Sequence, residues 1–204
     1  MLVLCSDGLT SGAILAELRP RVAGLETAAV VVTADDVYKE KNYHVPGTVA
    51  GLNDLGLSAD IFDLDASPAG GLEKYDVVEF IGGNPYYLLD AVRRHGAEPV
   101  LRRIAEEKVL IGWSAAAFVF GPMLSLVDRY SPEMNRWGLT DLTGLGLTAV
   151  QVLPHYSRFI TRFERFEQIC AEYEQANGVS VTRLNDGDAV FIDAGAVTLV
   201  RAHR

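Results

Sequence analysis

The sequence predicts an α/β protein: a mostly parallel sheet with helices on both faces, finished by a C-terminal β-meander. Three observations predict it. Short, continuous apolar runs rich in β-branched residues recur along the first half, among them residues 28–33 and 108–113. Longer stretches of helical periodicity separate them, as in a parallel sheet covered on both faces. Two turn signatures, Asn185-Asp186-Gly187-Asp188 and Asp193-Ala194-Gly195-Ala196, punctuate the last residues.

The elements follow in order. Residues 2–5 read as a strand and 11–18 as a helix. Residues 28–33 are a second strand, and 47–55, preceded by Pro46, a second helix. Residues 59–64 and 76–81 are the third and fourth strands. The helix over 84–95 has both ends marked: Asn84 can cap it, Pro85 suits its first position, Arg93, Arg94 and His95 suit its negative end, and Gly96 stops it. A helix over 99–107 then leads to the strand 108–113. Beyond residue 140, a strand is expected over 146–153, one helix over 157–175, and the meander from 179 to the end. With no repeat or linker, residues 1–204 read as one domain.

Composition excludes several function classes. About half the residues are apolar, the net charge is −9, and no basic stripe occurs, which argues against a nucleic-acid partner. No apolar run reaches the length of a membrane span, and residues 1–5 lack the features of a signal peptide, so a cytoplasmic protein with no membrane partner is expected. Cys5 and Cys170 sit far apart in apolar surroundings and read as buried free thiols.

The chemistry centres on Ile111-Gly112-Trp113-Ser114-Ala115-Ala116-Ala117. A serine at an abrupt strand-to-helix corner is how a protein presents a hydroxyl for attack. The hydroxyl then needs a base to take its proton and donors to hold the oxyanion. The N–H of Ala115 is one such donor, and the alternative is a serine that only caps its helix. His155, after the strand-like run ending at Pro154, is the candidate base, or else a turn histidine. The other histidines fit other roles: His95 at a helix end, His44 in a polar, solvated stretch, His203 in the tail. Gly82-Gly83-Asn84 joins a strand to a helix, either as a structural turn or as a second oxyanion donor at Gly83.

In combination, Gly82-Gly83-Asn84-Pro85, Gly112-Trp113-Ser114-Ala115, Gly121-Pro122 and Pro154-His155-Tyr156, with residues 33–41, resemble the aspartyl dipeptidase (peptidase E) and cyanophycinase family of serine peptidases along nearly the whole chain. The resemblance implies a class I glutamine amidotransferase-like fold, with Ser114 as nucleophile and His155 as base. It implies an oxyanion hole from Gly83 and Ala115, and hydrolysis of short, acidic peptides without metal or organic cofactor. The orienting acid lies between serine and histidine in this pattern, where Glu133 and Asp128 are the candidates; counting back from His155 favours Glu133, and counting forward from Ser114 favours Asp128. Asn84, Arg158, Trp113 and Tyr156 are the candidate substrate contacts. Arg162 and Arg165 read instead as partners of Glu164 and Glu167 on a solvated helix face.

The chain departs from the family pattern at Ala116, where glycine is usual, and the added methyl can shift the helix or narrow the pocket. That departure keeps a catalytically silent binding protein of the same fold open beside the peptidase, and an esterase or amidase using the same serine is a further alternative. A glutamine amidotransferase would carry cysteine at the corner. An exposed sheet edge in the meander leaves a homodimer open.

Overall fold

The computed structural model describes residues 1–202, so His203 lies outside the described residues. The strands are β1 (Leu2–Cys5), β2 (Thr27–Val31), β3 (Ser58–Phe62), β4 (Val77–Phe80), β5 (Val109–Trp113), β6 (Gln151–Leu153), β7 (Val181–Arg183), β8 (Ala189–Asp193) and β9 (Ala196–Val200). Seven of them form one sheet in the order β3-β2-β4-β5-β1-β8-β9. The first five are parallel, and β8 and β9 close the edge antiparallel.

The helices are α1 (Gly12–Val22), α2 (Val45–Asp54), α3 (Pro85–Arg94), α4 (Glu98–Glu107), α5 (Ala115–Phe120), α6 (Ser125–Tyr130), α7 (Tyr156–Arg162) and α8 (Phe166–Asn177). They cover both faces of the sheet, which is why the inner parallel strands are almost entirely apolar, with Glu79 of β4 the buried exception. In β1, Leu2 and Leu4 face the core under α3, α4 and α5, while Val3 and Cys5 face the core under α1 and α2. α3 starts as expected: the Asn84 side chain accepts from the N–H groups of Tyr86 and Tyr87, and Pro85 follows. Both cysteines are buried and free.

Three differences lie in the second half. The strand expected over 146–153 is confined to Gln151–Leu153. The single helix expected over 157–175 is two, broken where Arg165 takes a left-handed conformation at φ 55°. Phe159, Phe163 and Phe166 pack on one another and on Tyr130 across that break. Their burial outweighs the continuity of the helical pattern. In the meander, β8 and β9 form the expected hairpin, with Ala194 and Gly195 both at positive φ as such two-residue turns require. β7 instead pairs with β6, parallel, in a separate two-stranded sheet. This pairing brings the segment after β7 beside the end of β6 and so beside His155.

Candidate active site

Ser114 stands between β5 and α5 with φ 53° and ψ −111°. This is a sparsely populated conformation for a residue with a side chain, and it persists only where surrounding structure imposes it. The imposing structure is visible. β5 is hydrogen-bonded between β4 and β1. The Ser114 N–H donates to Cys5 O at 3.3 Å, and α5 is buried along its whole length. The corner thus holds the hydroxyl at the carboxyl edge of the sheet, where sites form in open α/β folds.

Ala116 belongs to the packing beneath this corner. A side chain at Gly112 would come within 3.0 Å of the Ala116 Cβ and 2.5 Å of Phe120. Ala116 is fully buried in the core and lines neither cavity beside Ser114. The extra methyl is absorbed by Gly112 and does not narrow the pocket.

The glycine pair is dictated by close approach. A Cβ on Gly83 would lie 2.1 Å from the Ala34 carbonyl oxygen, and one on Gly82 would lie 2.6 Å from the Trp113 ring. The Asn84 N–H donates to that same Ala34 oxygen at 2.8 Å. Neither Gly83 N–H nor Ala115 N–H takes part in a hydrogen bond among the described residues, and both residues line a cavity with Ser114.

His155 is the residue before α7 and has a left-handed backbone, φ 58° and ψ 24°. Its N–H donates to the buried Ser6 hydroxyl at 2.8 Å. Its Nδ1 lies 2.7 Å from an oxygen of Asp186. The Arg158 guanidinium also approaches that Nδ1, so the carboxylate and the guanidinium meet at one ring nitrogen. With the proton on Nδ1, the ring donates to Asp186 and the Nε2 lone pair is free. Burial holds the imidazole below its ordinary pKa; Asp186 opposes this, and Arg158 adds to it. The ring is therefore neutral at pH 7. Ser114 and His155 line two cavities in common, one of about 350 Å³ and one of about 380 Å³.

The acid expected between serine and histidine is not the one on the imidazole. Glu133 lines the larger cavity but makes no hydrogen bond with His155, and Asp128 accepts from the Tyr86 hydroxyl at 3.3 Å. Asp186 occupies the position instead, and the Ser6 hydroxyl donates to it at 3.0 Å. In the sequence Asp186 is hidden in a turn signature that accounts for it without any further role. Its signal is spatial: β7 follows β6, and β8 joins β1, so the connection between them lies against Ser6 and His155. Asp7 and His44 also line the smaller cavity, the latter contrary to a solvated reading. His44 packs edge-on against Trp113, with ring centroids 5.1 Å apart.

Among the expected substrate contacts, Trp113 walls the smaller cavity, and Arg158 lines it with its guanidinium paired to Asp186 at 2.8 Å. Asn84 lines neither cavity beside Ser114. Its side-chain oxygen caps α3 and its amide nitrogen donates to Met134 O at 2.9 Å. Tyr156 turns to α8, where its hydroxyl donates to Glu167. Arg165 bonds Gln168 and pairs with Glu172 rather than with Glu164 or Glu167. The break before α8 gives Arg162 a different place from that expected. It lines the larger cavity and makes no ion pair among the described residues.

A strained serine corner on a parallel sheet, sharing its cavities with a neutral, carboxylate-bound imidazole, defines the class of α/β serine hydrolases. More narrowly, the chain belongs to Peptidase family S51, whose signature matches residues 8–200. It is a serine-type peptidase. An uncharacterized peptidase of Listeria monocytogenes, Lmo0363, is 30% identical over 173 residues, 82% of each chain. Peptidase E of Salmonella arizonae is 24% identical over 98% of this chain and 89% of its own. A Listeria monocytogenes crystal structure, provisionally assigned to peptidase E, superposes with a TM-score of 0.80 at 25% identity, covering 99% of this chain and 98% of that one.

Proposed function

We propose that the protein hydrolyses short peptides through an acyl-enzyme formed on Ser114. Ser114 Oγ attacks the scissile carbonyl carbon while Nε2 of His155 takes its proton. Asp186 accepts from Nδ1–H, keeps the ring in that tautomer and stabilises the imidazolium. The N–H groups of Gly83 and Ala115 hold the oxyanion. His155 then protonates the leaving amine, and water, deprotonated by the same ring, releases the acid and restores Ser114. The observation that carries this reading is the Ser114 corner beside a buried His155 whose Nδ1 is 2.7 Å from Asp186.

Cavities of this size suit small peptides rather than extended chains. Because Arg158 is already paired with Asp186, the cation open to a substrate carboxylate is Arg162, in the larger cavity. An acidic side chain or a peptide's terminal carboxylate is the group it fits. Screening a dipeptide and tripeptide library by mass spectrometry, with acyl esters included and Ser114→Ala as control, tests the proposal. Cleavage of peptides by wild type and none by Ser114→Ala is expected. Equal cleavage by both proteins would refute the mechanism, and cleavage of esters alone would move the activity to an esterase.

A further inference from the structure

β4 reads Val77-Val78-Glu79-Phe80, and all four residues are buried. Glu79 is 1% exposed on the strand next to β5, and its Oε2 is sealed from solvent without a hydrogen-bond partner. The Trp113 indole N–H lies toward the same carboxyl but completes no hydrogen bond with it, so it too is buried and unpaired. Two unpaired polar groups on adjacent strands of one sheet are expensive unless something else meets them.

Both residues line a cavity of about 270 Å³ that Ser114 does not line. It continues from the smaller catalytic cavity, sharing Asp7, His44 and Trp113 with it. Its far wall is α2, where Gly47 and Gly51 stand one turn apart and a Cβ on either would meet nothing within 4 Å. The charges around it favour a cation. Asp7 lies at the junction of the two cavities, Arg158 is tied to Asp186, and burial holds His44 below its ordinary pKa and therefore uncharged at pH 7.

We propose that Glu79, with Asp7 and the Trp113 ring, forms a subsite for the ammonium or guanidinium tip of a long basic side chain on the substrate. This rests on the peptidase reading given above. The length follows from the sheet. Glu79 pairs with Ile111, three residues before Ser114 along β5, which is about 10 Å at the rise of a strand. The α-amino group beside a scissile carbonyl does not span that depth. A lysine stem or an arginine chain does, with its methylenes and charge along the indole face. Burial raises the empty Glu79 carboxyl to about 8, so an arriving cation replaces the acid's proton, which passes to water.

Binding, not turnover, tests the subsite. The probes are Nα-acetyl-lysine amide and its uncharged isostere, Nα-acetyl-norleucine amide, titrated calorimetrically into full-length Ser114→Ala protein. The lysine compound should bind about tenfold tighter or better, the margin of one charge-assisted hydrogen bond. Adding Glu79→Gln should bring the ratio near one. Gly51→Leu, which fills the cavity and leaves Glu79 in place, should do the same and serves if the glutamine variant does not fold. A ratio near one before either change, or a lysine preference that survives both, overturns the subsite. A lysine preference in Ser114→Ala, together with a wild-type protein that cleaves no peptide, would instead overturn the peptidase reading and leave the subsite standing.

Discussion

Replacing Glu79 with glutamine removes an ionisation that the fold resists. In the unfolded chain this carboxyl titrates near its ordinary 4.5; in the folded protein burial raises it to about 8. A group raised on folding contributes its stability fully below the unfolded value and loses it as pH rises toward the folded one. Over that interval the loss is about 1.4 kcal/mol per pH unit, which amounts to about 3 kcal/mol at pH 7 and about 5 kcal/mol above pH 8. Glutamine copies the shape and neutrality of the protonated acid and has no such dependence. Its additional N–H donors cost a constant of about 1–3 kcal/mol if unpaired, so the slope is the readout and the offset is not. Urea unfolding of wild type and Glu79→Gln at half-unit steps from pH 4.5 to 8.5 measures it. Relative to wild type, the variant should gain stability steadily from pH 5 to 8 and then level off. A difference that stays flat with pH would refute the claim that Glu79 is sealed in the protonated form.

The remaining predictions concern the catalytic groups. Asp186→Asn should lower kcat/KM by about 10²–10⁴, because asparagine no longer fixes the Nδ1–H tautomer, whereas Glu133→Gln and Asp128→Asn should each cost less than about tenfold; the reverse order would return the acid to the segment between serine and histidine. The acid limb of kcat/KM should have its midpoint below 6.5, since burial favours the neutral imidazole and activity needs that form; a midpoint above 6.5 would contradict this placement. Gly83→Ala should reduce turnover by about 10² or more, because its Cβ would sit 2.1 Å from Ala34 O and the oxyanion donor would have to move. Near-normal turnover of the folded variant would remove Gly83 from the oxyanion hole.

The alternation of strands and helices was legible because parallel strands buried on both faces must be continuously apolar, and because Asn84 and Pro85 mark a helix start in local chemistry. The corner at Ser114 was legible for the same reason, an apolar strand ending abruptly before a short apolar helix. Asp186 was not. Asn-Asp-Gly-Asp is complete as a turn, and only the antiparallel pairing of β8 with β1 carries that turn to His155. The break between α7 and α8 has no glycine or proline to announce it; it comes from packing Phe159, Phe163 and Phe166 around Tyr130. That break also decides that Arg162 faces the cavity while Arg165 stays on the surface. Glu79 did leave a signal, a lone carboxylate inside a run that otherwise reads as a buried strand.

Covalent capture tests most directly whether Ser114 is the nucleophile. Incubation with a fluorophosphonate, followed by digestion and mass spectrometry, should place one adduct per chain on Ser114, with none in Ser114→Ala and slow labelling in His155→Ala. An unlabelled Ser114, or an adduct formed equally well without His155, would contradict the account.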